Sequence, residues 1–150
     1  SAERETDGFF LRAESFFNVA TQVDQLYERE SPRAYGGKSL HAQSHGESFM
    51  ALATHRFVGH GLYLLDEPEA ALSPLRQMAL LRLMYDFVRD CRSQFIVATH
   101  SPILTACPGA TILELSQEGM RPIRYEDTHL VQLYRRFLED RESFLRRLLE

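Results

Sequence analysis

The sequence predicts an α/β fold: a mostly parallel sheet flanked by helices, with an antiparallel hairpin late in the chain. Two observations lead to it. Leu62-Tyr-Leu-Leu65 and Phe95-Ile-Val-Ala98 are short, nearly continuous apolar runs, the pattern of strands buried on both faces. Segments with apolar residues at helical spacing separate such runs, and strands alternating with helices pair in parallel.

Taken in order, Gly8-Phe-Phe-Leu-Arg-Ala13 reads as a short first strand. From Glu14 to about Glu28, Phe16, Phe17, Val19, Ala20, Val23, Leu26 and Tyr27 recur as one face of a helix. Residues 31–43 read as a loop, with Pro32, Gly36 and Gly37 among polar neighbours. A helix over about 47–57 follows, carrying Phe49, Met50, Leu52 and Ala53, and Gly59 and Gly61 close it before the strand 62–67. Ser73-Pro74 supplies an N-cap and a first-turn proline for a helix to about Asp90. The strand Gln94–Thr99 leads to Ser101-Pro102, which opens a short helical turn. Residues 110–115 and 121–125 form a hairpin around Gln117-Glu118-Gly119, expected to add an antiparallel edge to the sheet. Thr128 caps a helix to about Leu138, and a last helix covers about 141–149.

At 150 residues the chain is long enough for one core, burying roughly 70% of its unfolded surface. Apolar residues at 44% and charged residues at 25% are ordinary for a soluble globular domain. No apolar run nears the roughly 20 residues that span a bilayer, and the charged start does not resemble a signal peptide. Cys91 and Cys107 make no disulfide framework, so reduced thiols and a cytoplasmic location are expected. The net charge of −4 lacks the basic excess of an obligate nucleic-acid binder. The C-terminal arginines, interspersed with acids, read as a solvated helix surface.

The chemistry concentrates where the apolar runs end. Leu62-Tyr-Leu-Leu runs into Asp66 and Glu67, then Pro68. In open α/β sheets ligands bind beyond the carboxyl ends of the strands. Magnesium takes one or two carboxylates together with phosphate oxygens and water, and a second acid on the following turn can orient or deprotonate water. The second run ends at His100, whose imidazole can donate a hydrogen bond to a terminal phosphate oxygen. Ser44-His-Gly-Glu-Ser48 sits where a loop meets a helix N-terminus, which is an anion site or an ordinary cap. Gly37-Lys-Ser39 is not a phosphate-binding loop: Pro32 stands where the opening glycine belongs, and no buried strand precedes it. His41, His45, His55 and His60 lack the spacing and further ligand of a zinc site. Ser48 and Ser101 lie outside any Gly-x-Ser-x-Gly elbow.

Together these motifs resemble the C-terminal part of an ABC-type ATPase of the P-loop superfamily, close to bacterial AAA-type predicted ATPases with RecF-like and SMC-like heads. Leu62-Tyr-Leu-Leu-Asp-Glu67 is similar to the Walker B motif, and Ser44-His-Gly-Glu-Ser48 to the signature loop. Ala71-Leu-Ser-Pro74 resembles the D-loop, and Val97-Ala-Thr-His100 the switch-histidine motif. The likeness covers about residues 8–125. It implies that Asp66 binds magnesium, Glu67 polarises the attacking water and His100 senses the γ-phosphate of ATP. Ser44 and Gly46, with Glu47 in the glutamine's place, then contact nucleotide held by the other protomer of a head-to-tail dimer. Glu14 stands at the Q-loop position, where the family carries glutamine.

The departures are His45 for a signature glycine, Glu47 for its glutamine and Ser73 for the D-loop aspartate of transporters. They point to the soluble branch. The resemblance also implies a Walker A loop upstream of the first strand, so the reading expects a truncated product or a piece of a longer chain. One ABC-like domain is expected over 1–150: a helical and signature segment at about 14–60, a core at about 61–125 and C-terminal helices at about 128–150. Without the phosphate loop the chain alone is expected to be inactive, and an exposed apolar strand 94–99 is expected to promote self-association. The alternative is a non-catalytic interaction module derived from such an ATPase. A DNA-maintenance role rests on the likeness alone, and the acidic net charge weighs against it.

Overall fold

The structure is a computed structural model that describes residues 7–12, 45–57 and 60–150. The expected helix at 14–28 and the whole 31–43 loop region fall outside them, as do Glu14 and Ser44. The chain divides into two compact units, residues 1–99 and 100–150.

In the first unit, β1 (Asp7–Arg12), β2 (Gly61–Asp66) and β3 (Gln94–Ala98) form a three-stranded sheet in the order β1-β2-β3. Both pairings are parallel, as the apolar runs predict. The register is regular: Leu11 lies opposite Leu65, and Leu65 opposite Val97. Side chains alternate across the sheet, so Leu11, Tyr63 and Leu65 share one face and are buried there. Two helices supply the rest of the core: α1 (His45–Arg56), through Phe49, Leu52 and Ala53, and α2 (Pro74–Cys91), through Leu80 and Met84. Phe57, just past α1, lies tilted 4.6 Å from Tyr63, and meets Phe95 at 5.0 Å and Phe87 of α2 at 5.9 Å edge-on. This aromatic cluster ties both helices to both strands. The opposite face carries Phe10 and Ile96, 61% and 55% exposed.

Ser73 caps α2 by accepting from the Arg76 amide, with Pro74 in the first turn, as the sequence predicts. Arg92 ends the helix in the left-handed conformation.

In the second unit, Ser101 accepts from the Ile103 and Leu104 amides and caps α3 (Pro102–Thr105). The hairpin is β4 (Leu113–Ser116) and β5 (Gly119–Pro122), turning at Gln117-Glu118 with Gly119 at φ +119°. It forms a sheet of its own, where the sequence suggested an edge on the parallel sheet. Pro122 on β5 has no N–H to offer a further strand. Thr128 caps α4 (His129–Glu139), and Asp140 caps α5 (Arg141–Leu149). Phe137 and Phe144 pack edge-on across that corner at 5.5 Å. Among the described residues no helix is long and apolar enough to cross a membrane.

Candidate functional site

The three parallel strands finish level. Register places Arg12 opposite Asp66 and Asp66 opposite Ala98, so their side chains project to one face at the carboxyl rim. Asp66 is half-buried, and its Oδ2 receives the Arg12 guanidinium Nε at 3.1 Å. β2 stops there because Glu67 turns to φ 47°, ψ 50°, a left-handed conformation that no strand continues.

Two bonds fix that turn. The Glu67 amide donates to the Ala98 carbonyl at 2.9 Å, and the Ala70 amide returns to the Glu67 carbonyl at 3.0 Å. The second bond begins a 3-10 turn over Pro68–Ala71, whose proline is buried. From that turn Glu69 reaches across to the end of β3, where its Oε2 accepts the Thr99 hydroxyl at 2.7 Å in a part-buried position. The acidic turn and the end of β3 are therefore joined twice, once by main chain and once by side chain.

His100 follows Thr99 directly and opens the second unit, where it is exposed. Ser101 beside it is buried and holds the start of α3. Gly46 and Glu47 lie in the first turn of α1, the helix N-terminus the sequence assigned to the signature loop. The structure thus brings Asp66 and Glu67 to one rim. Sequence reasoning gives no role to Arg12 or Glu69, and names Thr99 only within the run Val97-Ala-Thr-His100. Arg12 ends the first strand, which is a usable signal once the strands are known to finish level.

Among the described residues no group of three or more His, Cys, Asp or Glu side chains is placed to hold a metal. A pair of adjacent carboxylates at an open rim nevertheless fits magnesium, which keeps its waters and takes substrate oxygens instead of a protein cage.

A protein-family model described as "AAA domain, putative AbiEii toxin, Type IV TA system" matches residues 12–106. The chain belongs to this AAA domain family. The match runs from the end of β1 through the acidic turn, β3 and His100 to the end of α3. Membership in this family places the chain among fragments related to P-loop NTPases. No curated protein matches the chain. Among solved structures, the chain is similar to "SMC head domain from Thermotoga maritima", at 17% identity and a TM-score of 0.48 over 77% of this chain. The chain spans about half, 53%, of that domain's length. It is also similar to a chain from the structure titled "Structural biochemistry of ATP-driven dimerization and DNA stimulated activation of SMC ATPases", at 16% identity and a TM-score of 0.45. That likeness covers 86% of this chain and 94% of the other.

Proposed function

We propose that residues 1–150 are the Walker B, signature and switch-histidine portion of a soluble, ABC-like ATPase domain. The observation that carries the reading is the rim itself: Asp66 ends β2 level with its neighbours, and Glu67 is set on a turn hydrogen-bonded to the end of β3. Asp66 is the magnesium ligand. Glu67 accepts a proton from, or orients, the attacking water, and His100 donates a hydrogen bond to the γ-phosphate. Glu14 occupies the Q-loop position. Ser44, Gly46 and Glu47 serve nucleotide bound by a second copy, so the working form is a dimer. Magnesium, when bound, neutralises charge on the transferring phosphoryl group.

Positioning and electrostatics supply nearly all phosphoryl-transfer catalysis, so a chain without a phosphate-binding loop binds ATP weakly and is inactive alone. Gly37-Lys-Ser39 departs from the sequence pattern of such a loop, with Pro32 in place of the opening glycine.

Glu67→Gln in the full-length protein tests this. Removing a general base lowers turnover about 10²- to 10⁴-fold. The variant is expected to retain ATP and accumulate as a dimer on size-exclusion chromatography. Unchanged turnover would remove Glu67 from the catalytic role, and a wild type without turnover, whose variant neither traps ATP nor gains dimer, would identify a non-catalytic interaction module.

A further inference from the structure

We propose that Arg12 is a further binding residue of this site, pairing with Asp66 until a nucleotide phosphate takes over its guanidinium. It thereby makes metal binding and phosphate binding depend on each other. The inference rests on the reading of Asp66 as a magnesium ligand.

Arg12 and Asp66 end neighbouring parallel strands in register, on the same sheet face, with Nε 3.1 Å from Oδ2. The two side chains are 51% and 34% exposed, and an ion pair so open to water contributes little to folding. Its place is more informative than its strength, because ligands of parallel sheets bind at this rim. A guanidinium and a divalent cation compete for the same carboxylate, and each repels the other. A metal arriving alone must therefore displace Arg12 or sit beside its charge. A phosphate arriving alone finds the guanidinium engaged with Asp66. When both arrive the pairs exchange: the carboxylate turns to the metal, and the guanidinium takes phosphate oxygens, for which its planar fork is suited.

The test uses the full-length protein, Mn²⁺ followed by electron paramagnetic resonance, and a fluorescent ATP analogue titrated with and without chelator. In Arg12→Gln, Mn²⁺ alone is expected to bind about fivefold tighter, and the nucleotide in chelator about fivefold weaker. Arg12→Lys keeps the charge but not the fork, so its Mn²⁺ affinity stays within about twofold of wild type while nucleotide binding weakens. These opposed shifts separate the proposal from a structural role, which moves both affinities together. Weaker Mn²⁺ binding in Arg12→Gln, or no change in either affinity, overturns it. Asp66→Asn distinguishes the underlying reading. Loss of Mn²⁺ binding there, with Arg12→Gln unchanged from wild type, defeats the Arg12 proposal alone. Mn²⁺ binding undiminished in Asp66→Asn defeats the metal-site reading itself.

Discussion

Glu67 occupies a left-handed backbone conformation that costs a residue with a Cβ roughly 1–2 kcal/mol. The surrounding bonds enforce it: the Ala98 carbonyl holds its amide, and Glu69 fastens the following turn to Thr99. On the proposed reading of Glu67, that strain is a cost tolerated for placement of the side chain. Glycine adopts the same conformation freely. Glu67→Gly is therefore expected to raise unfolding stability by up to about 1 kcal/mol in urea titration, part of the relief being offset by a more flexible unfolded chain. The same variant is expected to lose hydrolysis in the full-length protein. A variant destabilised by the glycine would show that what the Glu67 side chain contributes to the fold, together with the flexibility glycine adds to the unfolded chain, outweighs the relief of strain.

At the scale of elements, the most direct electrostatic device is Glu114 on β4. Its carboxylate accepts from Arg121 of β5 at 2.8 Å and from the His129 amide at 3.3 Å, so one acid ties the hairpin to the first turn of α4. The guanidinium first, and the amide second, hold this carboxyl below its ordinary value of 4.5. A group with a lowered folded value stabilises fully above the unfolded value and loses that contribution as pH falls through the folded one. Wild type is therefore expected to melt above Glu114→Gln at pH 7, and the gap to close as pH falls below 4.5. A gap independent of pH would mean that the carboxylate's charge contributes nothing.

Most element positions were legible because their signals are local. Ser73-Pro74 starts α2, apolar runs mark β2 and β3, and Gln117-Glu118-Gly119 turns the hairpin. The reading of 62–67 as strand overran by one residue, since φ at Glu67 is set by contacts with β3 that the sequence does not display. Arg12–Asp66 and Glu69–Thr99 were invisible for the same reason: both depend on register between strands far apart in the chain.

For the whole molecule, the question is what meets the outer side of β3. Among the described residues β3 pairs only with β2, so its other side presents backbone donors and acceptors along an apolar strand. Ile96 is 55% exposed and shares its sheet face with Phe10, which is 61% exposed. An uncharged, β-branched outer strand templates pairing with another chain, which natural sheets avoid by placing lysine or proline on it. The self-association expected from the sequence would use this strand. Light scattering of the 150-residue chain is expected to give a mass that rises with concentration. Ile96→Lys sets a charge on that strand without entering the core packed on Tyr63, so the mass should fall toward the monomer while the far-ultraviolet circular dichroism stays the same. A wild-type chain that remains monomeric at high concentration removes β3 as an association surface. A variant that associates as strongly as wild type moves the contact elsewhere.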